Sequence, residues 1–274
     1  MPLEYEAIRK SFNDIADQYE VNAVLQKEVL FRLLERLDDE QKLDAKLKPT
    51  HIVDLGCGTG WAIPEIIKLF PDCRISALDF SQAMLNEVPK NNSVETIMGD
   101  VHDLPFDDNS VDVVFSNMVL HWSNEQDVFS EAMRVLKPDG LLIMSCLGET
   151  SLVELKQAWL NVDKLSHVHD FPALHNLGDD LLKKGFSEVV VNAEIITLTY
   201  KNIIALMKDI KASGGHHVNE NRKKGLMSRS QMVLLEKGYE VFREDQRLPA
   251  SYEIVYLRAK KSKIEKGIEL IIQD

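Results

Sequence analysis

The 274-residue chain carries 44 acidic and 32 basic side chains, which give a formal net charge of −12 and a pI near 5.2. This balance argues against a nucleic-acid-binding protein, because neutralising phosphate groups requires a basic surface. Hydrophobic residues make up 45% of the chain and charged residues 28%. Those proportions exclude a mainly disordered protein and predict a buried core.

The acidic charge is concentrated in one half of the chain. Residues 1–150 carry 13 basic and 27 acidic side chains, whereas residues 151–274 carry 19 basic and 17 acidic ones. The two halves are therefore expected to meet different partners.

Cysteine content and hydropathy indicate a soluble protein in a reducing compartment. Cys57, Cys73 and Cys146 are an odd number and form no C-x-x-C pair or Cys/His cluster, so neither a disulfide framework nor a zinc site is expected. The polar, acidic N-terminus does not resemble a signal peptide, and no apolar run reaches 18 residues. We expect a cytoplasmic protein with no membrane segment.

The first 48 residues are predicted to be helical. Apolar residues recur at helical spacing between residues 5 and 37, which indicates one or two amphipathic helices. These helices could simply pack against the rest of the fold or could cover a site.

From residue 50, short apolar runs alternate with longer amphipathic ones, a pattern typical of a parallel sheet covered by helices. Strands are predicted at 51–55, 73–79, 94–98, 111–117 and 141–146. Helices are predicted at 61–70, from Ser81, and from a cap at Ser123 or Asn124 to Leu136, with a turn at 137–140.

The C-terminal part adds further helices and strands to this core. Helices are predicted at 151–162, 202–213 and 228–243, strands at 186–200 and 251–259, and a basic helical tail at 260–274. We predict one α/β domain over 1–274, in which residues 50–147 form the ligand-binding core and residues 148–259 the substrate side. The expected fold is a seven-stranded, mostly parallel Rossmann-like sheet with helices on both faces.

A glycine-rich turn follows the first predicted strand. It reads Asp54-Leu-Gly56-Cys-Gly58-Thr-Gly60, whereas a dinucleotide-binding turn has two residues before its last glycine to make room for a pyrophosphate. The shorter gap and the leading acid suit a ligand without phosphate, which the glycine backbone can approach closely.

Two more acids end the next strands. Asp79 ends the second strand, where a carboxylate can accept both hydroxyls of a ribose, and Asp100 follows the third, where it can accept the amino group of an adenine. Either could instead be a helix cap or an ordinary turn residue. Together with the glycine turn they indicate an adenosine pocket.

With these features the chain resembles the class I S-adenosylmethionine-dependent methyltransferases. The matching motifs are VDLGCGTG, ALDFSQAML, GDVHDLPF, VDVVFSNMVLHW and RVLKPDGLL, all within residues 50–147. The resemblance implies S-adenosyl-L-methionine as the cofactor, no metal, and S-adenosyl-L-homocysteine as the product. The cofactor-binding residues that it implies are Asp54, Gly56, Gly58, Gly60, Asp79, Phe80, Met84, Asp100, Val101 and Asn117.

Segments outside this core are similar to the malonyl-[acyl-carrier-protein] O-methyltransferases of biotin synthesis. They are SFNDIADQYEVNAVLQKEVLFRLL, SLVELKQAW, HVHDF, LMKDIKASGGHHVNENR, GLMSRSQM and LPASYEIVY. The chain departs from that family at His169 and Asp170, where an Asn and a variable residue, frequently Arg, are usual. The resemblance implies methyl transfer to the free carboxylate of malonyl-acyl carrier protein or malonyl-CoA, with the exact substrate left open by this departure.

Two residues are candidates for the catalytic centre. The family has a Tyr where this chain has Tyr19, which the resemblance places over the transferred methyl group, although an amphipathic core tyrosine is the alternative. His121 follows the fourth strand and either faces the reacting centre or bonds a loop carbonyl. No general base is needed, since a carboxylate is already ionised near neutral pH. His216 and His217 are adjacent and lack a third ligand, so no metal site is expected.

The substrate side contains a basic stretch. Residues 201–229 carry seven basic and two acidic side chains, which could be a solvated helix face or a docking site for a negatively charged partner such as acyl carrier protein. The candidates for binding the substrate, chosen by charge, are Lys208, Lys211, Arg222 and Arg229.

Two other functions remain open. A methyltransferase of a small free acid such as trans-aconitate would share the core but would not need the basic stretch. The segments LMKDIK and LPASYEIVY are also similar to methyltransferase-like assembly factors of respiratory complex I, which are associated with arginine hydroxylation.

Overall fold

The computed structural model describes residues 3–44, 47–213 and 228–262, without the side chains of residues 3 and 4. Its seven strands form one sheet. They are β1 His51–Leu55, β2 Arg74–Asp79, β3 Val94–Met98, β4 Val111–Asn117, β5 Leu136–Leu147, β6 Phe186–Tyr200 and β7 Leu248–Lys261.

The helices precede, connect and follow these strands. They are α1 Leu3–Ile15, α2 Tyr19–Asn22, α3 Val24–Leu43, α4 Ile63–Leu69, α5 Gln82–Glu87, α6 Glu125–Val135, α7 Val153–Trp159, α8 Leu174–Lys183, α9 Ile203–Ala212 and α10 Arg229–Glu240, with 3₁₀ turns at Ala16–Gln18 and Leu120–Trp122. Within the described residues, no helix is long and apolar enough to cross a membrane.

The strand order is β3-β2-β1-β4-β5-β7-β6. Neighbouring strands from β3 to β5 are parallel, while β7 runs antiparallel to both β5 and β6. The predicted seven-stranded, mostly parallel sheet is therefore confirmed. The order reverses at β1, which pairs with β2 on one side and β4 on the other, and ligands of open α/β sheets bind at the carboxyl ends of strands beside such a switch point.

Alternating strand residues bury the two faces of the sheet in separate cores. Ile52 and Ile143 face a layer that contains α3, α4, α7, α9 and α10. Val53 and Met144 face a layer that contains α6 and α8. Because successive side chains of a strand point to opposite faces, one apolar run supplies both cores.

Three local expectations from the sequence need correction. Helix α8 was not predicted, yet its Leu177 and Leu181 are fully buried against the sheet. The expected turn at 137–140 is the irregular start of β5, which pairs from Leu136. Residues 260 and 261, expected to begin a helical tail, belong to β7, where the Lys261 ammonium donates to the Leu136 carbonyl. The rest of that predicted tail, beyond residue 262, lies outside the described residues.

The cap of α6 is the one alternative that local geometry decides. The Asn124 side chain accepts a hydrogen bond from the Asp127 amide, whereas the Ser123 hydroxyl donates to the Leu120 carbonyl. Asn124 is therefore the N-cap, and Ser123 is left to close the 3₁₀ turn before it.

An ion pair joins the N-terminal region to the last strand. Arg258 on β7 donates to both carboxylate oxygens of Glu40 on α3, at 3.1 and 2.9 Å, and to Glu188 at 2.9 Å. The side chains of Arg258 and Glu40 are each only 19% exposed. Such a bidentate, partly buried pair fixes the register of the helix on the sheet.

We expect Arg258→Met to lower the free energy of unfolding by about 2 kcal/mol, because the partly buried Glu40 carboxylate loses its partner. Urea denaturation followed by circular dichroism measures this change. The control is Lys183→Met, which removes an exposed pair with Asp180 on α8 and should leave the urea midpoint unchanged. Equal midpoints for the two variants would contradict the structural role of Arg258.

Candidate active site

The glycine-rich turn follows β1 and lies at the switch point of the sheet. The amide groups of Gly56 and Cys57 both donate to the Leu78 carbonyl, at 2.7 and 3.0 Å. Gly56 has a φ of +65°, and a Cβ placed on it would lie 2.2 Å from a methyl carbon of Val119. The turn therefore requires glycine for both its conformation and its close approach to the loop after β4.

Asp79 at the end of β2 is held by that turn. Its Oδ2 accepts from the Gly58 amide at 3.0 Å and its Oδ1 from the Ser81 amide at 2.8 Å. Burial raises the pKa of this carboxyl to about 6, against the lowering effect of these backbone hydrogen bonds. After its backbone hydrogen bonds with Gly58, Ser81 and Phe80, the carboxylate still keeps acceptor capacity for a further donor, since a carboxylate has about four lone-pair positions.

Asp54 at the end of β1 is buried beneath the turn. It is 2% exposed, and its Oδ2 has no hydrogen-bond partner among the described residues. Burial, and to a smaller extent the nearby Asp79, raise the pKa of Asp54 to about 7. A buried carboxylate with an open acceptor creates a local preference for a positively charged ligand.

Asp100 is tied to the first helix. Its Oδ1 accepts from the Tyr5 hydroxyl at 3.0 Å and from the backbone amide and Nδ1 of His102 at 2.9 and 2.6 Å. Partial burial acts to raise the pKa of Asp100, but these hydrogen bonds outweigh it and lower the pKa below its usual value. Helix α1 is thus latched onto the end of β3.

A cavity opens where these elements meet. It encloses about 680 Å³, part of it at an open mouth, within the range of roughly 300–1,000 Å³ that is usual for small-molecule sites. It is lined by Tyr5, Phe12, Tyr19, Gln26, Gly56, Gly58, Asp79, Phe80, Met84, Val101, Asn117, Met118, Val119, Trp122, Ser123 and Ser213. The cavity thus brings together eight of the predicted site residues, namely Tyr19, Gly56, Gly58, Asp79, Phe80, Met84, Val101 and Asn117.

Aromatic side chains cover this cavity from the N-terminal helices. The Phe12 ring lies 5.9 Å from Phe80, 6.3 Å from Tyr19 and 5.9 Å from Trp122, and the Tyr5 ring lies 5.3 Å from Phe80. Tyr5, Phe12 and Trp122 are not among the site residues predicted from the sequence. A signal exists, since aromatics at positions 5, 12 and 19 recur every seven residues and so share one face of a helical segment.

Several predicted site residues lie outside the lining. Asp54, Gly60 and Asp100 support the cavity without lining it. His121 sits behind Trp122, with ring centroids 5.0 Å apart, and is 6% exposed. Burial, and then the neighbouring His169, lower the pKa of His121 to about 3, so its imidazole is neutral. Its position suits the support of Trp122 better than contact with a ligand.

The predicted substrate-binding cations lie away from the described lining. Lys208 and Lys211 are exposed on α9, and Arg229 is exposed at the start of α10. The residue that follows α9, Ser213, does line the cavity. Arg222, like His216 and His217, falls outside the described residues. No group of three His, Cys, Asp or Glu side chains within the described ranges is placed to hold a metal ion.

Comparison with known proteins identifies the class of protein to which the chain belongs. Residues 53–144 match a family model described as a methyltransferase domain. The fold resembles that of phosphoethanolamine N-methyltransferase 2 from Haemonchus contortus, solved in complex with S-adenosyl-L-methionine, with a TM-score of 0.52 and 18% identity over 84% of this chain and 52% of that one. The sheet, the glycine turn and the adjoining cavity thus place the chain in the class of proteins with a methyltransferase domain.

Proteins similar in sequence identify the family within this class. A malonyl-[acyl-carrier protein] O-methyltransferase from Gallionella capsiferriformans is 37% identical over 270 residues, which cover 94% of this chain and 91% of that protein. The biotin biosynthesis bifunctional protein BioHC of Teredinibacter turnerae is 35% identical over 93% of this chain and 46% of that protein. The chain belongs to the malonyl-[acyl-carrier protein] O-methyltransferase family.

We expect Tyr5→Phe to loosen the first helix, because it removes the hydrogen bond to the charged Asp100 while keeping the ring against Phe80. Amide hydrogen exchange across Leu3–Ile15 should become about tenfold faster, the change expected from losing about 1.5 kcal/mol. The control Glu6→Gln breaks an exposed pair with Arg9 on the same helix. If both variants exchange like the unmodified protein, Tyr5 does not latch the helix.

Proposed function

We propose that this chain transfers the methyl group of S-adenosyl-L-methionine to the free carboxylate of a malonyl thioester, the first step toward a pimeloyl precursor of biotin. The observation that carries the proposal is the extent of the similarity to the Gallionella protein. It spans 94% of the chain, so it includes the N-terminal helices and the C-terminal segments as well as the methyltransferase domain at 53–144.

The residues of the cavity fit this cofactor. Asp79 presents a carboxylate with free lone pairs at the cavity wall, which suits a ribose diol. Phe80 and Met84 add apolar surface suited to an adenine ring, and Val101 lies beside them in the lining. The buried Asp54 carboxylate, with its open acceptor, suits the positive charge of the cofactor.

The chemistry supplied by the bound cofactor is an electrophilic methyl group: a carboxylate oxygen forms the new C–O bond, the S–CH₃ electron pair stays on sulfur, and no proton moves. The role of the chain is to hold the carboxylate in line and away from water. Phe12, Tyr19 and Trp122 form an aromatic cover that can do this. The methyl ester produced has lost the negative charge, so it resembles the ordinary apolar chains accepted by fatty-acid elongation.

Charge supports a carrier-protein thioester over a free acid. Lys208 and Lys211 are exposed on α9, whose C-terminal end reaches the cavity at Ser213. A positively charged surface beside the mouth attracts a negatively charged carrier and speeds its association. Malonyl-CoA presents the same thiol arm without the protein and is the other thioester to consider.

The cofactor assignment predicts that Asp79→Ala lowers the affinity for S-adenosyl-L-homocysteine at least about 100-fold, because two hydrogen bonds to a charged group are lost. Isothermal titration calorimetry measures this change. Asp103→Ala, which removes an exposed carboxylate near the same sheet edge, is the matched control. Thermal unfolding of both variants shows whether the turn remains folded, and retained affinity in a folded Asp79→Ala protein would refute the assignment.

The methyl acceptor is tested by release of S-adenosyl-L-homocysteine with malonyl-acyl carrier protein, malonyl-CoA and trans-aconitate offered separately. We expect kcat/KM to be highest for the carrier-bound substrate and to fall with rising salt concentration, since charged surfaces steer the encounter. Preference for trans-aconitate would identify a small-acid methyltransferase. Cofactor binding without turnover on any of the three would favour the assembly-factor class.

A further inference from the structure

We propose that the substrate carboxylate is bound by neutral hydrogen-bond donors rather than by a cation. The donors are the side-chain amide of Gln26, the indole N–H of Trp122 and the hydroxyl of Tyr19, here called the neutral donor set. All three line the cavity. The inference rests on the proposed function, because it concerns the acceptor of that reaction.

The other polar side chains of the cavity lining already take part in hydrogen bonds within the protein. Tyr5 donates to Asp100, one N–H of the Asn117 side chain to the backbone carbonyl of Gln26, the Ser123 hydroxyl to the Leu120 carbonyl and the Ser213 hydroxyl to the Ile210 carbonyl. Asp79 is an acceptor only. Within the described part of the chain, the donors of Gln26, Tyr19 and Trp122 are not engaged by another residue.

The framework holds this set in place. The backbone carbonyl of Gln26 accepts from the side-chain amide of Asn117 at 3.0 Å, and the Asn117 side-chain oxygen accepts from the Ser145 hydroxyl at 2.8 Å. Gln26 lies in the first turn of α3, so this chain of bonds ties the start of that helix to the ends of β4 and β5. On the other side, Phe12 lies between Tyr19 and Trp122, at 6.3 and 5.9 Å.

Topology separates Gln26 and Trp122 from the adenosine end of the cavity, whereas Tyr19 lies against the glycine turn, with its Cε1 3.7 Å from the position of a Cβ on Gly58. Asp79 and Phe80 come from the end of β2, and Met84 from α5 beside it. Gln26 and Trp122 are positioned by β4, which lies on the opposite side of β1 from β2. An acceptor bound at the β4 side therefore sits across the switch point from the nucleoside.

Neutral donors suit the reaction better than an ion pair would. A carboxylate paired with Arg or Lys loses basicity and hence nucleophilic strength, whereas amide, indole and phenol donors orient its oxygens with less charge transfer. The countercharge is supplied in the same cavity by the cationic cofactor. Burial, and to a smaller extent Asp79, raise the pKa of Tyr19, so its hydroxyl keeps its proton and remains a donor.

This arrangement divides the work between neutral and charged residues. Lys208, Lys211 and Arg229 are exposed and outside the described lining, where they can meet a carrier protein. The neutral donor set meets the reacting group. Substitutions in the neutral donor set should therefore affect malonyl-acyl carrier protein and malonyl-CoA equally, since both present the same carboxylate.

The test compares Gln26→Glu with Gln18→Glu in the full-length protein. Both add one negative charge to the N-terminal segment, but Gln18 is exposed and does not line the cavity. We expect Gln26→Glu to lower kcat/KM for both thioesters at least about 100-fold, because a carboxylate faces a carboxylate. Inhibition by the uncharged methyl ester of malonyl-CoA should change less than threefold, and calorimetric affinity for S-adenosyl-L-homocysteine should be retained.

A second variant removes a donor without adding charge. Trp122→Phe keeps a ring against Phe12 and should lower kcat/KM about 10-fold to 100-fold, the range for one hydrogen bond to a charged group. Arg222→Gln tests the rival in which a cation binds the carboxylate.

The outcomes separate the two proposals. If the unmodified protein turns over neither thioester, both the proposed function and the neutral donor set are overturned. Normal turnover with unchanged kinetics in Gln26→Glu and Trp122→Phe overturns the neutral donor set alone. A third pattern also overturns the neutral donor set: Arg222→Gln lowers kcat/KM comparably for both thioesters, while Gln26→Glu weakens binding of the methyl ester as much as binding of the acid. That pattern indicates that a cation binds the acid and that Gln26→Glu distorts the cavity generally.

Discussion

The hydrogen bond from the Gly58 amide to the Asp79 carboxylate is the contact on which the site depends. It joins the turn after β1 to the end of β2, at the point where the strand order reverses. With the Gly56 and Cys57 amides bound to the Leu78 carbonyl, it holds the glycine backbone open at the cavity wall. The same carboxylate keeps lone pairs for a ligand, so one side chain both builds the turn and serves the site.

The N-terminal helices complete the site by contacts with distant parts of the sheet. Tyr5 reaches Asp100 after β3, while Phe12 and Tyr19 cover the region between Phe80 and Trp122. The methyltransferase core alone would leave this cavity exposed to water. Desolvation by the cover strengthens every electrostatic interaction inside it, which matters for a reaction between an anion and a cation.

Charge is arranged by position more than by total. The buried acids Asp54 and Asp79 lie at the glycine turn, and Lys208 and Lys211 are exposed on α9, whose C-terminal end reaches the cavity lining at Ser213. Between them the lining offers neutral donors and aromatic rings. A net charge of −12 therefore coexists with a surface region suited to an acidic partner.

The sequence by itself determined the architecture, and it predicted the glycine turn and Asp79, which the structure brings together at the cavity. Strand periodicity predicted the seven strands, and the turn glycines with Asp79 fall on adjacent segments, so local pattern was enough. It did not predict α8, although Leu174, Leu177 and Leu181 recur at helical spacing, and Leu177 and Leu181 are buried against the sheet.

Only the tertiary structure decided which distant side chains share the cavity. Tyr5, Phe12, Gln26 and Trp122 come from separate segments, and His121, although next to Trp122 in sequence, turns away behind it. Lys208 and Lys211 likewise carry the charge expected of residues that bind an anion, but they lie on the surface. The physical reason is that charge and residue type are properties of the sequence, whereas the direction in which a side chain points depends on packing between elements far apart in the chain.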